Sequence, residues 1–388
     1  MNNDFPNRQA WGDGRRRAAA PHLVAFSVMT TALALQMLLA HGNSLRAAEE
    51  IPRSGLTVKE FAELDQVVER FYRLTNSSAA AVAVSRNGEL RYSRGYGWLD
   101  QKHTQPVEPT DPFRIASVSK PFTAALTYQL IADQRLKLDD PVYPLPDIDP
   151  PEGKLADERW KRITAAHLLD HRGGWNRETA GDPMFQLYAI KKNLKLEAAP
   201  RQRDIIRYML GQPLQFEPGE RSVYSNFGYC VLGRVCERAS GDDYFAALDK
   251  HVLLPQKISG IALAKRPVDQ RLTREPQYNL PADDFDIEVM DAHGGLVATA
   301  PALCQFLTHY WISGKPRKTE DGEQKWNFFG SLPGTTSAVR QTRGWDLALL
   351  FNGRRDGQIN EDLNTLGKEL DKFLQALPVE TGAATKPK

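Results

Sequence analysis

The 388-residue chain is poor in cysteine and in net charge, and no internal repeat is visible in it. Three cysteines cannot build a disulfide framework. Cys230 and Cys236 lie six apart in a segment of helical character, roughly 9 Å of rise, which is too far to bridge. Free thiols are therefore expected. Fifty basic residues against 48 acidic ones leave a charge of +2, which gives no electrostatic footprint for nucleic acid. With 28 glycines, 25 prolines and 41% hydrophobic residues, the composition excludes a collagen-like, low-complexity or wholly disordered chain. The length exceeds one small core and predicts two domains, or one domain with a large insertion.

What is present begins with a targeting pattern. Arg15, Arg16 and Arg17 precede an apolar run over 23–39, and a small-residue stretch ends at Arg46-Ala47-Ala48. Basic, apolar and small, in that order, is the layout of a secretory signal over residues 1–48. The run is short for a bilayer span, yet Arg46 fits a cleavage site poorly, so a membrane anchor through 23–39 stays open as the alternative. A twin-arginine signal is weakly supported, because Ala18 to Ala20 continues the arginines poorly. Either form expects an exported protein, periplasmic or extracellular. Residues 1–48 hold five arginines and two aspartates, so the remainder carries −1.

Beyond residue 48, Thr57 and Glu60 have capping-box spacing and Leu56 with Phe61 could staple it. Phe61, Leu64, Val68 and Phe71 recur at helical intervals. An alternating run from Ala79 to Arg86, the pair Asn87-Gly88, and Glu89 to Tyr96 predict a β-hairpin. Phe122, Leu126 and Leu130 mark a helix over 122–133, and five prolines between 141 and 151 mark a surface loop. Residues 160–284 read as helices and loops, and the charged stretch 314–325 as a solvated loop. A second hairpin is predicted over 335–351, then a helix carrying Leu363, Leu366, Leu370, Phe373 and Leu377, then an unpacked tail over 378–388. The fold class is α+β: an antiparallel sheet flanked by N- and C-terminal helices, interrupted by a large all-helical insertion. The domain over 57–377 divides into an α/β lobe (57–115 and 285–377) and a mainly helical lobe (116–284). A ligand cleft is expected where two such lobes meet.

Three clusters could carry chemistry. Ser117 stands where the chain enters the Phe122 helix, with Pro121 in the opening turn. Unpaired N–H groups there can stabilise an oxyanion, and Lys120 lies one turn away on the same face. Buried, that lysine would lose solvation, its pKa would fall, and it could take the serine proton. The spacing alone is equally that of a helix-capping serine beside an exposed lysine. Tyr224 and Asn226 follow a turn and precede a helix beginning near Phe227. A phenol near a lysine is a plausible base, and the amide could orient a carbonyl or the lysine. A packed tyrosine and a helix-capping asparagine explain the pair as well. His167 and His171 share a helix face, but Leu168 replaces the glutamate of a metalloprotease motif and no third ligand is evident. They read as structural, with no metal.

Together the segments resemble the serine β-lactamase and penicillin-binding-protein superfamily, in its class C-like branch with family VIII esterases, D-aminopeptidases and DD-carboxypeptidases. The resemblance rests on FRIASVSKPFTAA (113–125), LDDP (138–141), ITAAHLLDHRGGW (163–175), YSNFGYCVLG (224–233) and GGLVATA (294–300), and runs over roughly 57–375. It implies Ser117 as nucleophile, Lys120 and Tyr224 sharing the proton work, and Asn226 orienting the lysine or the substrate. It also implies an acyl-enzyme that needs no cofactor, formed from a small-molecule or peptide substrate.

The third family motif departs. Where the branch has Lys-Thr-Gly or His-x-Gly on a strand, this chain reads WNFFGSLPG (326–334), and Phe328 replaces the cation. Gly330 remains, with Ser331 as the expected second oxyanion donor. A substrate carboxylate loses its partner, so the resemblance implies an ester or amide without one, as in esterases of the branch that carry an aromatic residue here. His293 matches His-x-Gly literally but sits about 35 residues early; a polar contact to substrate is expected of it. The expected function is an exported serine hydrolase of ester or amide bonds. The alternatives are a true class C β-lactamase or DD-peptidase, and a non-catalytic ligand-binding descendant.

Overall fold

The computed structural model describes residues 50–278, 286–318 and 324–378. Residues 1–48, where a targeting segment is expected, with the apolar run 23–39, and the tail beyond Pro378 lie outside the described residues. Among the described residues no helix is long and apolar enough to cross a membrane.

The strands are β1 (Arg53–Gly55), β2 (Ala79–Arg86), β3 (Glu89–Gly97), β4 (Phe113–Arg114), β5 (Ile261–Leu263), β6 (Leu296–Ala298), β7 (Trp326–Leu332), β8 (Thr335–Thr342) and β9 (Trp345–Phe351). Helices of eight residues or more are α1 (Ala62–Leu74), α2 (Lys120–Ala132), α3 (Leu187–Leu194), α4 (Gln202–Leu210), α5 (Asn226–Ser240), α6 (Ala300–His309) and α7 (Ile359–Ala376). Both hairpins form, with their turns at Asn87-Gly88 and Arg343-Gly344, and join in one antiparallel sheet of order β1-β3-β2-β9-β8-β7.

The seam of that sheet is β2 against β9, where Val82 lies opposite Leu349. Ala79, Ala81 and Ala83 face one core with Ala348 and Leu350, while Ala80, Val82 and Val84 face the other with Leu347 and Leu349. The expected alternation in β2 is therefore replaced by a continuous apolar run, because both faces of a central strand are covered. One cover is α1 with α7, which meet through Leu64, Val68, Phe71, Leu366, Leu370 and Phe373. Each such side chain contributes about 1.5–3 kcal/mol by leaving water. The other cover includes α6, whose Phe306 stacks on Phe122 of α2 with centroids 3.9 Å apart.

Two local expectations are corrected. Thr57 caps no helix; its Oγ1 accepts from the Arg94 guanidinium at 3.0 Å, Leu56 is 78% exposed, and the chain enters α1 through a 3-10 turn over Lys59–Phe61. The insertion is not helical throughout, since β5 pairs with β6, which also pairs with β4. Three residues are too short for an alternating pattern to be read. All three cysteines are free and buried.

Candidate active site

The Ser117 segment leaves β4, turns at Ala116, where φ is +47°, and continues as a 3-10 turn (Ala116–Ser119) into α2. A positive φ at a residue with a Cβ is unfavourable backbone, held by its surroundings and often found beside reactive groups. Here it sits immediately before Ser117. The bonds of this turn run from the Val118 N–H to Ile115 O and from the Lys120 N–H to Ser117 O, leaving the Ser117 N–H outside them.

Three side chains converge on and around Ser117. Tyr224 donates its phenol hydrogen to Ser117 Oγ at 2.8 Å. Lys120 Nζ stands 3.2 Å from the same oxygen, 2.7 Å from Asn226 Oδ1 and 2.8 Å from His293 O. Lys120 is only 2% exposed, and loss of solvation pushes its pKa below the ordinary lysine value, opposed by Tyr224 and Asp182. The lysine is thereby biased toward the neutral amine that a general base must be.

Tyr224 and Asn226 are placed by the start of α5. Ser225, not Asn226, is its cap: Ser225 Oγ accepts the Gly228 N–H at 2.9 Å. That frees the Asn226 amide, which donates from Nδ2 to Asp182 Oδ2 at 2.7 Å. The Tyr224 ring rests on His171, centroids 4.7 Å apart, and His171 in turn meets Tyr229 at 5.1 Å. His171 Nδ1 accepts the Ser225 N–H at 3.2 Å. Burial, reinforced by the Lys120 charge, pushes His171 down to about 4. His167 instead caps its own short helix, with Nδ1 accepting the Thr164 N–H at 3.3 Å. Among the described residues no group of three or more His, Cys, Asp or Glu could hold a metal.

The opposite wall is β7, the edge of the large sheet. Trp326 and Phe328 pack toward the core on the Ser117 side, and Phe329 toward the α1–α7 side. A Cβ on Gly330 would stand 2.2 Å from Ile115 O, 2.3 Å from Ser337 Oγ and 3.1 Å from Ser117 N. Only glycine lets this strand come so close to Ser117. Leu332 opposes Thr335 across the two-residue turn Pro333-Gly334, and Gly330 opposes Ser337. In such a ladder alternate residues bond to the partner strand, so Ser331 between them turns its N–H to the open edge. The Ser331 hydroxyl lies at the Arg354 guanidinium, 3.4 Å away.

Ser117, Lys120, Tyr224 and Asn226 are thus brought together, with Gly330 and Ser331 on the strand beside them. His293 joins differently from expectation. Its backbone carbonyl binds Lys120 while its ring is 2% exposed with Nε2 unpartnered, because the Met290–Gly294 turn directs the ring into the core. Buried in this way, the ring does not line the cleft as expected. Asp182, His171, Tyr229 and Arg177, whose guanidinium lies 5.6 Å from the Tyr224 ring, were not indicated as site residues by sequence. Of these, His171 reads by sequence as a structural histidine, and Asp182 leaves a trace as the residue before Pro183 that caps a short turn.

Comparison with known proteins bears on this geometry. Esterase EstB of Burkholderia gladioli is 30% identical over 249 residues, covering 62% of this chain and 62% of the esterase. The chain therefore matches somewhat under two thirds of that relative's length. Among solved structures, the octameric penicillin-binding protein homologue from Pyrococcus abyssi superposes with a TM-score of 0.62 at 20% identity, covering 82% of this chain and 78% of that one. D-amino acid amidase from Ochrobactrum anthropi SV3 does so with a TM-score of 0.62 at 20% identity, over 81% and 100%. These two likenesses show the fold. The family model described as Beta-lactamase matches residues 64–367, from within α1 into α7 and across every site residue named above. The chain belongs to the Beta-lactamase family.

Proposed function

We propose that the protein is an exported serine hydrolase that cleaves an ester or amide bond through an acyl-enzyme on Ser117. The observation that carries this reading is the meeting of Ser117 Oγ with Tyr224 OH at 2.8 Å and Lys120 Nζ at 3.2 Å, with the amine buried. Lys120 takes the Ser117 proton as Oγ bonds to the substrate carbonyl carbon. The carbonyl electrons move to its oxygen, which the N–H groups of Ser117 and Ser331 receive. Collapse expels the alcohol or amine, which takes a proton from Tyr224, and Lys120 returns one to the phenol. Water then releases the acyl group by the same path reversed.

Phe328 favours an ester or amide over a β-lactam or a peptide ending in a carboxylate, since no cation stands at that position of β7. Export is supported by the order of basic, apolar and small residues over 1–48. A fluorophosphonate probe should label Ser117, and Ser117→Ala should abolish labelling and ester turnover. Rapid turnover of a chromogenic cephalosporin would favour the β-lactamase alternative. Saturable ligand binding with no covalent adduct would favour the non-catalytic one.

A further inference from the structure

Asp182 reaches Lys120 through one intermediary, Asn226, whose Oδ1 meets the lysine and whose Nδ2 meets the carboxylate. Its Oδ2 accepts from Asn226 Nδ2 at 2.7 Å, and its Oδ1 accepts the Met184 N–H at 3.1 Å. A carboxylate only accepts, so the Asn226 amide must turn its NH2 toward Asp182 and its oxygen toward Lys120. Among the described residues, Asp182 is the acceptor bonded to Asn226 Nδ2, and so the group that distinguishes the two ends of that amide on its far side.

We propose that Asp182 is a positioning residue for acyl transfer, an orientation lock on Asn226 that leaves the Lys120 lone pair aimed at the Ser117 hydroxyl. The proposal rests on the acyl-enzyme reading above. A neutral amine has two N–H bonds and one lone pair. Asn226 Oδ1 at 2.7 Å and His293 O at 2.8 Å accept only, and they take both hydrogens. The remaining direction is Ser117 Oγ at 3.2 Å, so the lone pair meets the hydroxyl proton. When that proton moves to Nζ and Oγ bonds to carbon, the new ammonium keeps both acceptors and the Asp182 charge stabilises it. A flipped Asn226 would present an N–H to the amine, draw its lone pair away from Ser117 and remove the base.

The test is a double-mutant cycle of Asp182→Asn and Asn226→Ala, read by the rate of fluorophosphonate labelling at Ser117. Asn at 182 still offers an oxygen to the Met184 N–H, so the turn keeps its cap while the amide loses its fixed sense. In the parent protein Asp182→Asn should slow labelling by about 10- to 100-fold, with an unchanged melting temperature. In the Asn226→Ala background it should add nothing. An equal loss in both backgrounds, or no loss in either, overturns the lock. NMR of the Asn226 side-chain amide gives a readout independent of activity. Its protons should be protected from exchange in the parent and unprotected in Asp182→Asn; equal exchange overturns the proposal. If labelling survives Ser117→Ala, the acyl-enzyme reading fails, and the amide exchange still decides the lock.

Discussion

The phenol oxygen of Tyr224 lies 2.8 Å from the Ser117 hydroxyl although 107 positions separate them, while Lys120 reaches the same hydroxyl from three positions away. In the proposed mechanism the local pair supplies nucleophile and base. The distant partner makes the arrangement more than a capped helix, and several expected outcomes depend on it.

The first concerns pH. As the proposed base Lys120 must be neutral to act, and burial lowers its pKa. Labelling should therefore rise with pH through a midpoint below the ordinary lysine value of about 10.4. In Lys120→Met this limb should vanish along with most of the rate. A midpoint at or above the ordinary value would show that the lysine is not the base.

Gly330→Ala is expected to separate binding from chemistry. The added methyl meets Ile115 O and Ser337 Oγ far inside contact distance, so β7 must withdraw from Ser117. Loss of one oxyanion donor lowers kcat by about 10²–10³-fold. Steady-state kinetics on a small ester would show this with a smaller change in KM; an unchanged kcat would dismiss β7 as the second wall of the hole.

Phe328→Lys tests the missing cation. The lysine stem can lie where the half-buried ring does, with its head at the cleft. The ratio of kcat/KM for a carboxylate-bearing ester to that for its neutral methyl analogue should rise about tenfold. A ratio that stays put would mean that carboxylate selection lies elsewhere, with Arg177 and Arg354 the cations to examine next.

His171 carries a signed prediction on stability. Its folded pKa of about 4 is below the unfolded value of about 6.5. The unfolded chain therefore binds the proton first, and stability falls as pH drops from about 6.5 to about 4, by at most about 3 kcal/mol. Asparagine tolerates the left-handed backbone at this position, where φ is +57°. Denaturant titrations of His171→Asn across that window should show a flatter profile than the parent; an identical slope would place the acid sensitivity in another group.

Local chemistry left clear marks in the sequence. Asn87-Gly88 and Arg343-Gly344 turn where expected, and the serine, lysine, tyrosine and asparagine were found through their spacing and the family strings around them. Pairings that depend on distant segments left none. Three-residue β5 has no period to read, and Thr57 had capping spacing but was claimed by Arg94 from β3. Asp182 and His171 became site residues only because the path of the chain carries them to Asn226 and Tyr224. The ring of His293 was misjudged because polarity alone does not say which side of a turn faces the cleft.

The seam between β2 and β9 has a consequence for biogenesis. Ala80 pairs with Phe351, so the N-terminal hairpin leaves the ribosome with one apolar edge unpaired and waits for nearly the whole chain. Such long-range closure makes folding slow and exposes a sticky edge meanwhile. A chain truncated before residue 345 cannot complete its sheet, and should be recovered in aggregates or bound to chaperones rather than as a smaller soluble enzyme.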